Sequence, residues 1–432
     1  MNLSKSPLES DRPLIVYLDF KSPYAWLALH PTQEMARELG IAVDWRPFVL
    51  DIPSYLGSAR LDPSGKVEEQ QRSAEQWSGV KYAYYDCRRY ANLRKMKVRG
   101  TVKIWDTNLA AIGMLWARRQ GDAILERYMN AVYEPFWQRE LDVEDAAVIR
   151  GVLLQVGADI EGFEDYAIGT GTEENKALQA AAFDAGIFGV PTYLVHGQMY
   201  FGREHLPRIR WHLGGAQGPA PDIAYESSTA TNKAREPLHP FEVCIDFANP
   251  NSYLALAPTL ALAAELGLAV DWHPIQTRAR KAVPIPHDES RGARHQRLRA
   301  DYRANDIARY AARELTAAQN ELETGAASMA VLWLKHAAPA MVEQFVIRVF
   351  EKVWEQGLAV DSVVAVETLL QELGHTADGF SQYFATVGSE ELKAAQQAMA
   401  ARGVIGSPTY LLGNQPFLGR QHLPLIRARL ST

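Results

Sequence analysis

Leu14-Ile15-Val16-Tyr17-Leu18-Asp19-Phe20-Lys21-Ser22-Pro23-Tyr24-Ala25-Trp26 joins two kinds of pattern in thirteen residues. The run from Leu14 to Phe20 is apolar and rich in β-branched and aromatic side chains, the signature of a short buried strand. Ser22 and Pro23 then supply residue types suited to a helix N-cap and to the first helical position. Apolar residues recur to Leu39, and Gly40 stops the helix. A second strand over 42–48 completes a βαβ unit, which implies parallel strands and a right-handed crossover.

The same grammar returns later in the 432-residue chain. Residues 241–247 read as a strand, Asn249-Pro250 as a helix start, Gly267 as its stop, and 269–275 as the next strand. Asp19-Phe20 matches Asp246-Phe247, and Ala42-Val43-Asp44-Trp45-Arg46-Pro47 matches Ala269-Val270-Asp271-Trp272-His273-Pro274, both at an offset of 227 residues. Asp86 with Arg89-Tyr90-Ala91 matches Asp306 with Arg309-Tyr310-Ala311 at an offset of 220, and Trp137 matches Trp354 at 217. Pro191-Thr192-Tyr193-Leu194 returns as Pro408-Thr409-Tyr410-Leu411, and Gly202-Arg203 with His205-Leu206-Pro207 as Gly419-Arg420 with His422-Leu423-Pro424. Matches held in this order mark a duplication. The domains are therefore expected at 12–214 and 239–432. A Gly/Pro-rich and then Ser/Thr-rich linker is expected over 215–238.

Within each copy the segments 68–92, 106–119, 124–134, 144–156 and 173–185 of the first, and their counterparts in the second, carry helical periodicity. The copy closes with a loop and strand over 189–195, a turn, a short strand at 199–201 and a final helix from about 204. The order β-α-β, helical insert, β-β-α defines an α/β fold with a mixed sheet. The expected architecture is two tandem thioredoxin-like domains, each with an inserted helical subdomain.

Composition narrows the function classes. The net charge of −6 is mild, and no long run of Lys or Arg could neutralise phosphates, so nucleic acid is not expected as a partner. The first dozen residues resemble neither a signal peptide nor a transit peptide, and no apolar stretch is long enough to span a bilayer, so the reading is cytoplasmic with no membrane partner. Two cysteines, Cys87 and Cys244, exclude a disulfide framework, and neither has the Cys-x-x-Cys partner of a redox site. Both are expected as small buried apolar residues. No His/Cys/Asp/Glu grouping has metal-ligand spacing, and no metal is expected.

Asp19-Phe20-Lys21-Ser22-Pro23-Tyr24-Ala25-Trp26, the segment 81–91, and Gly186-Ile187-Phe188-Gly189-Val190-Pro191-Thr192 together resemble 2-hydroxychromene-2-carboxylate isomerases and kappa-class glutathione transferases, within the DsbA-like thioredoxin superfamily. The resemblance spans the first copy and, more weakly, most of the second. It implies glutathione as cofactor and Ser22 as the catalytic hydroxyl that holds the sulfur at the head of the helix. Pro23 follows it, and Val190-Pro191 is similar to the family's cis-proline dipeptide, whose backbone binds glutathione as an added strand. Gly202-Arg203-Glu204 resembles the turn that contacts the γ-glutamyl end, although the family usually has Asn or Ser and then Asp where this chain has Arg203 and Glu204. In the isomerases the thiolate adds to a substrate, permits bond rotation and leaves. The implied activity is a glutathione-dependent isomerase or transferase acting on a small aromatic electrophile. The second copy, with Asn249 in place of Ser22, either mimics one half of the family's homodimer or binds something through amide contacts, and a monomeric pseudo-dimer or a homodimer is expected.

Each residue also has a plainer reading. Ser22 is a good N-cap on local grounds alone. Asp86 and Arg89 fit an (i, i+3) surface ion pair by spacing, and their recurrence as Asp306 and Arg309 points to a structural role common to both copies. Lys81, Tyr82 and Tyr84 either line a substrate pocket or belong to the core, where Trp26, Trp45 and Trp137 are expected. His205 and His422 fit packing or capping roles. Two rival functions stay open: a thiol-disulfide oxidoreductase-like protein without a Cys-x-x-Cys pair, and a non-enzymatic module that holds a peptide along its proline loops.

Overall fold

The computed structural model describes residues 6–61, 67–226, 241–277, 289–315 and 322–431. It divides into two compact units, one comprising Met1–Ile223 with Ile285–Asp301 and the other Ala224–Pro284 with Tyr302–Thr432. Of the stretch expected as a linker, residues 227–238 lie outside the described ones. The described part is tied down: the Trp211 indole donates to the Gln217 carbonyl at 2.9 Å, Arg208 to that of Pro221 at 2.7 Å, and Tyr225 N–H to that of Gln421 at 2.8 Å.

In the first unit β1 (Leu14–Leu18) is buried at every position, as a strand covered on both faces must be. It pairs in parallel with β2 (Val43–Pro47), across α1 (Pro23–Leu39). A small hairpin, β3 (Ala59–Leu61) with β4 (Val67–Gln70), follows α2 (Ile52–Leu56). The sheet is completed by β5 (Thr192–Val195), antiparallel to β1, and β6 (Gln198–Phe201), giving the order β2-β1-β5-β6. Between β4 and β5 lie the helices α3 (Ala74–Leu93), α4 (Asn108–Arg118), α5 (Asp122–Trp137), α6 (Ala146–Gln155), α7 (Phe163–Ile168) and α8 (Thr170–Asp184), and α9 (Leu206–Leu213) closes the copy.

The second unit repeats the plan. β7 (Phe241–Ile245) pairs in parallel with β8 (Val270–Pro274) across α10 (Pro250–Leu266), and β9 (Thr409–Leu412) with β10 (Gln415–Leu418) gives the order β10-β9-β7-β8. Gly40 and Gly267 end α1 and α10 at φ of +64° and +65°, a left-handed conformation that glycine adopts without strain. Thr32 bonds the Tyr193 hydroxyl at 3.1 Å and Thr259 that of Tyr410 at 2.8 Å, locking each first helix to its sheet in the same way. No helix among the described residues is long and apolar enough to cross a membrane.

The structure departs from the periodicity at the start of α3. The helix expected from residue 68 begins at Ala74, because Ser73 and Gln76 form a reciprocal capping box and residues 67–70 are used as β4. Trp26, Trp45 and Trp137 are core residues, as expected. Tyr82 and Tyr84 are half-buried and Lys81 is exposed, so that face of α3 is not core.

Residues 289–301 of the first unit bring in His295, at the start of α11 (Arg291–Tyr310). Its ring stacks on Tyr55 at 3.8 Å and meets Phe188 edge-on at 5.8 Å, and it is 6% exposed. Burial lowers its pKa to about 4. A histidine that resists protonation when folded contributes stability above its unfolded pKa and loses it as pH falls toward the folded value. The first unit should therefore lose about 3 kcal/mol between pH ~6.5 and pH ~4. Urea unfolding at both pH values should show that loss in the wild type and little of it in His295→Phe; an equal loss in both would exclude His295 as the cause.

Candidate functional site

The turn between β1 and α1 is fixed from several sides. The Asp19 carbonyl accepts from Ser22 N–H at 3.0 Å and from the Tyr133 hydroxyl at 2.9 Å, and the Phe20 carbonyl accepts from the Trp137 indole at 3.1 Å. The Asp19 carboxylate, 2% exposed as a residue, accepts from Thr107 Oγ1 at 2.5 Å, Leu50 N–H at 2.7 Å and Lys21 N–H at 3.3 Å. The end of α5 and the loop before α4 thus hold the turn whose last residue is Ser22.

Ser22 caps α1 with extended backbone, φ −95° and ψ 113°, and its Oγ accepts from Ala25 N–H at 3.2 Å. Its N-cap reading holds. That bond uses an oxygen lone pair, and among the described residues the hydroxyl proton has no acceptor. Pro23 occupies the first helical position, half-buried, and leaves the helix start without an N–H there.

The proline loop reaches the end of β1 through the sheet. β5 pairs with β1 so that Thr192 faces Tyr17, and continuing that antiparallel register sets Val190-Pro191 alongside Leu18-Asp19. The Val190–Pro191 and Ser407–Pro408 bonds are both cis. Val190 is 5% exposed, yet no hydrogen bond among the described residues reaches its N–H or its C=O. Buried backbone groups are nearly always paired, so an unpaired donor and acceptor on one residue fit an extended ligand added as a strand.

Gly202 N–H bonds the Pro191 carbonyl at 2.9 Å and brings the following turn to the same loop. Arg203 turns the other way: it is 2% exposed, with its guanidinium 4.5 Å over the Tyr90 ring. Glu204 is half-buried and its carboxylate folds against the α-carbon of Gly202, whose φ of +112° and lack of Cβ permit that approach. The register therefore brings Val190 and Pro191 to the end of β1, just before Ser22 and Pro23 begin α1, and the Gly202–Pro191 bond brings the Glu204 turn to the same loop, while the charged head of Arg203 faces the interior.

Asp86 and Arg89 form their ion pair at 2.8 Å, but with side chains 2% and 4% exposed, so the surface reading of that spacing is corrected. Burial raises the Asp86 pKa, opposed by Arg89, by Arg203 and by the Tyr24 hydroxyl at 3.5 Å. The second copy keeps the ion pair as Asp306 and Arg309 and sets Arg420 5.4 Å over Tyr310, but its tyrosine donor is Tyr302 of the same helix, since Asn251 stands at the Tyr24 position. Shared by both copies, the ion pair belongs to the fold. His205 and His422, 2% and 1% exposed, pack against the rings of Tyr200 and of Tyr225 and Phe417, as expected.

The second mouth is filled from within. Asn249 Nδ2 donates to the Ser407 carbonyl at 2.9 Å and to Ser407 Oγ at 3.0 Å, and Ser252 Oγ donates to Ser407 Oγ at 3.0 Å. Ser407 stands where Val190 stands in the first copy, so the acceptor left open there is consumed here. Where the first copy has Glu204 the second has Gln421, bonded to the Leu418 carbonyl at 2.8 Å.

Cys87 and Cys244 are free and buried, and burial pushes both thiols up, that of Cys244 to about 12. Neither can supply a thiolate at neutral pH. One grouping absent from the linear spacing does form: Glu242, Asp271 and His273 place ligand-type atoms within 4.8 Å of one another across β7 and β8. Arg402 pairs with Glu242 at 2.6 Å and Lys335 with Asp271 at 2.5 Å, and the His273 and Lys335 contacts hold the Asp271 carboxyl well below its usual range. Asp44, Arg46 and Arg118 make the corresponding ion network in the first copy, which supports a structural reading of both.

Against known proteins, residues 13–214 and 242–431 each match the model of the DSBA-like thioredoxin domain. The 2-hydroxychromene-2-carboxylate isomerase of Sphingobium xenophagum is 27% identical over 204 residues, which is 46% of this chain and 95% of that protein. The enzyme of the same name from Pseudomonas sp. (strain C18) is 23% identical, over 46% of this chain and 89% of its own. Among solved structures, a 2-hydroxychromene-2-carboxylate isomerase is 23% identical with a TM-score of 0.37, over 45% of this chain and 95% of that one. The cytosolic disulfide reductase DsbM from Pseudomonas aeruginosa, solved with GSH, is 20% identical with a TM-score of 0.31, over 44% and 96%.

Proposed function

Because the chain belongs to the DSBA-like thioredoxin domain family in both of its copies, we propose that it is a glutathione-dependent isomerase or transferase acting on a small aromatic electrophile. The reaction is assigned to the first domain. The observation that carries this reading is an uncommitted Ser22 hydroxyl proton at the head of α1 together with an unpaired Val190 backbone in the loop that the sheet register sets at the end of β1. The naming of two relatives as 2-hydroxychromene-2-carboxylate isomerases supports the substrate class.

Glutathione, when bound, supplies the thiol whose anion attacks an electrophilic carbon. The residues of this chain then have distinct tasks. Val190 would offer its N–H and C=O to an extended cysteinyl backbone. Ser22 would donate its hydroxyl proton to the sulfur, at a helix N-terminus whose partial positive charge also favours an anion. The Glu204 carboxylate, beside the Pro191 carbonyl bond, suits a cationic amino group. Arg203, facing Tyr90, would act by holding the turn.

Turnover of 2-hydroxychromene-2-carboxylate by the full chain, with and without glutathione, tests the reading. Activity is expected only with glutathione; activity without it, or none with it, would contradict the proposal. The filled second mouth adds a stoichiometric expectation. Calorimetric titration should give one glutathione per chain, and two equivalent sites would overturn the assignment of Asn249 as an internal occupant.

A further inference from the structure

Lys21 precedes Ser22 and is 9% exposed, an unusual place for an ammonium. Among the described residues its Nζ makes one hydrogen bond, to the Trp105 carbonyl at 3.3 Å, and lies 3.8 Å from Asp19 Oδ2, too far for a second. The Asp19 carboxylate needs no such bond, since Thr107, Leu50 and the Lys21 backbone already satisfy it. The ammonium is held there chiefly by charge.

The second copy keeps the acid and lacks the cation. Ala248 stands at the Lys21 position, and the Asp246 carboxylate is satisfied by neutral donors, Ala248 N–H at 2.9 Å together with the N–H and hydroxyl of Thr277. Burial there raises the Asp246 pKa, and among the described residues no cation opposes it. The copy whose Ser22 hydroxyl proton has no acceptor therefore sets an ammonium beside its carboxylate, and among the described residues the copy whose Asn249 bonds Ser407 does not.

We propose that the Lys21 ammonium cancels the charge of buried Asp19, so that negative charge can settle on a sulfur held at the Ser22 hydroxyl. Lys21 is a positioning residue for charge, and the inference rests on the glutathione reading. A buried carboxylate three residues from Ser22 would otherwise repel that anion through a medium that screens poorly. The remaining charges nearby cannot take over this task. Asp86 is engaged by Arg89 at 2.8 Å and by the Tyr24 hydroxyl at 3.5 Å, and the Asp–Arg pair recurs in the second copy as Asp306 and Arg309. Lys103 is paired with Glu144 at 2.5 Å and, like exposed Asp106, is open to solvent.

The test is the pH titration of the ultraviolet absorbance of the thiolate, with glutathione bound to the full chain. Lys21→Met should raise the apparent pKa of the bound thiol by about one unit, and Lys21→Arg should leave it at the wild-type value. Asp19→Asn should shift it the opposite way, and the double variant should return it toward wild type, a sign pattern that loss of packing does not produce. An unchanged pKa in Lys21→Met or in Asp19→Asn, with the thiolate present, overturns the role of Lys21 alone. If Lys21→Met does not fold, Asp19→Asn and the double variant decide. Absence of any thiolate in the wild type overturns the glutathione reading and this inference together.

Discussion

Replacing Ser22 with glycine is expected to lower the glutathione-dependent rate by about 10²–10³, the cost of removing one well-placed donor to a developing or stored anion. The choice of glycine separates chemistry from folding. Ser22 caps α1 through the Ala25 N–H, and Ser→Ala at such a cap costs roughly 1 kcal/mol whereas Ser→Gly costs only a few tenths. Ser22→Gly should therefore melt close to wild type while losing activity, and Ser22→Ala should lose activity and also some stability. Steady-state kinetics beside thermal melts check this. A rate in Ser22→Gly within a factor of ~2 of wild type would leave Ser22 as a helix cap and nothing more.

The second large effect is structural. Arg89→Ala removes one partner of a carboxylate that is 2% exposed, and breaking a buried ion pair costs about 3–5 kcal/mol. The pH dependence has a definite sign. Burial already raises the Asp86 pKa against the lowering effect of Arg89, and deleting Arg89 lets it rise further. A carboxyl whose folded pKa exceeds its unfolded value has its full stability below the unfolded pKa and loses it as pH rises through the folded one. The deficit of Arg89→Ala should thus be largest at pH ~8 and shrink toward pH ~4–5 as Asp86 takes up a proton. Urea unfolding across that range measures it, and a deficit independent of pH would mean that lost packing, not the loss of the ion pair, is responsible.

Much of this architecture was legible from residue order. The duplication, the strand passing into a capped helix, the loop before Thr192 and the absence of a redox pair all depend on local pattern, and pattern survives in a linear chain. What escaped depends on contacts between distant positions. The (i, i+3) spacing of Asp86 and Arg89 is the same on a surface and in a core, and only the packing of α3 decides between them. The unpaired backbone of Val190 carries no side-chain signal at all. Asn249 reads as a good N-cap, and its bond to Ser407 spans 158 residues. Glu242, Asp271 and His273 meet only because β7 and β8 pair in parallel, although an Asp-x-His alternation on a strand places two of them on one face. The start of α3 was misplaced because helical periodicity ran through a hairpin, while the Ser73 and Gln76 capping box was the local clue to its true beginning.

The central claim is that the first domain stores a sulfur anion against the Ser22 hydroxyl. Its most direct test is the thiolate absorbance that appears when glutathione is added at neutral pH to the wild-type chain and to Ser22→Gly. One thiolate per chain in the wild type, strongly diminished in the variant, is the expected result. No thiolate in the wild type, or the same amount in both proteins, would contradict it.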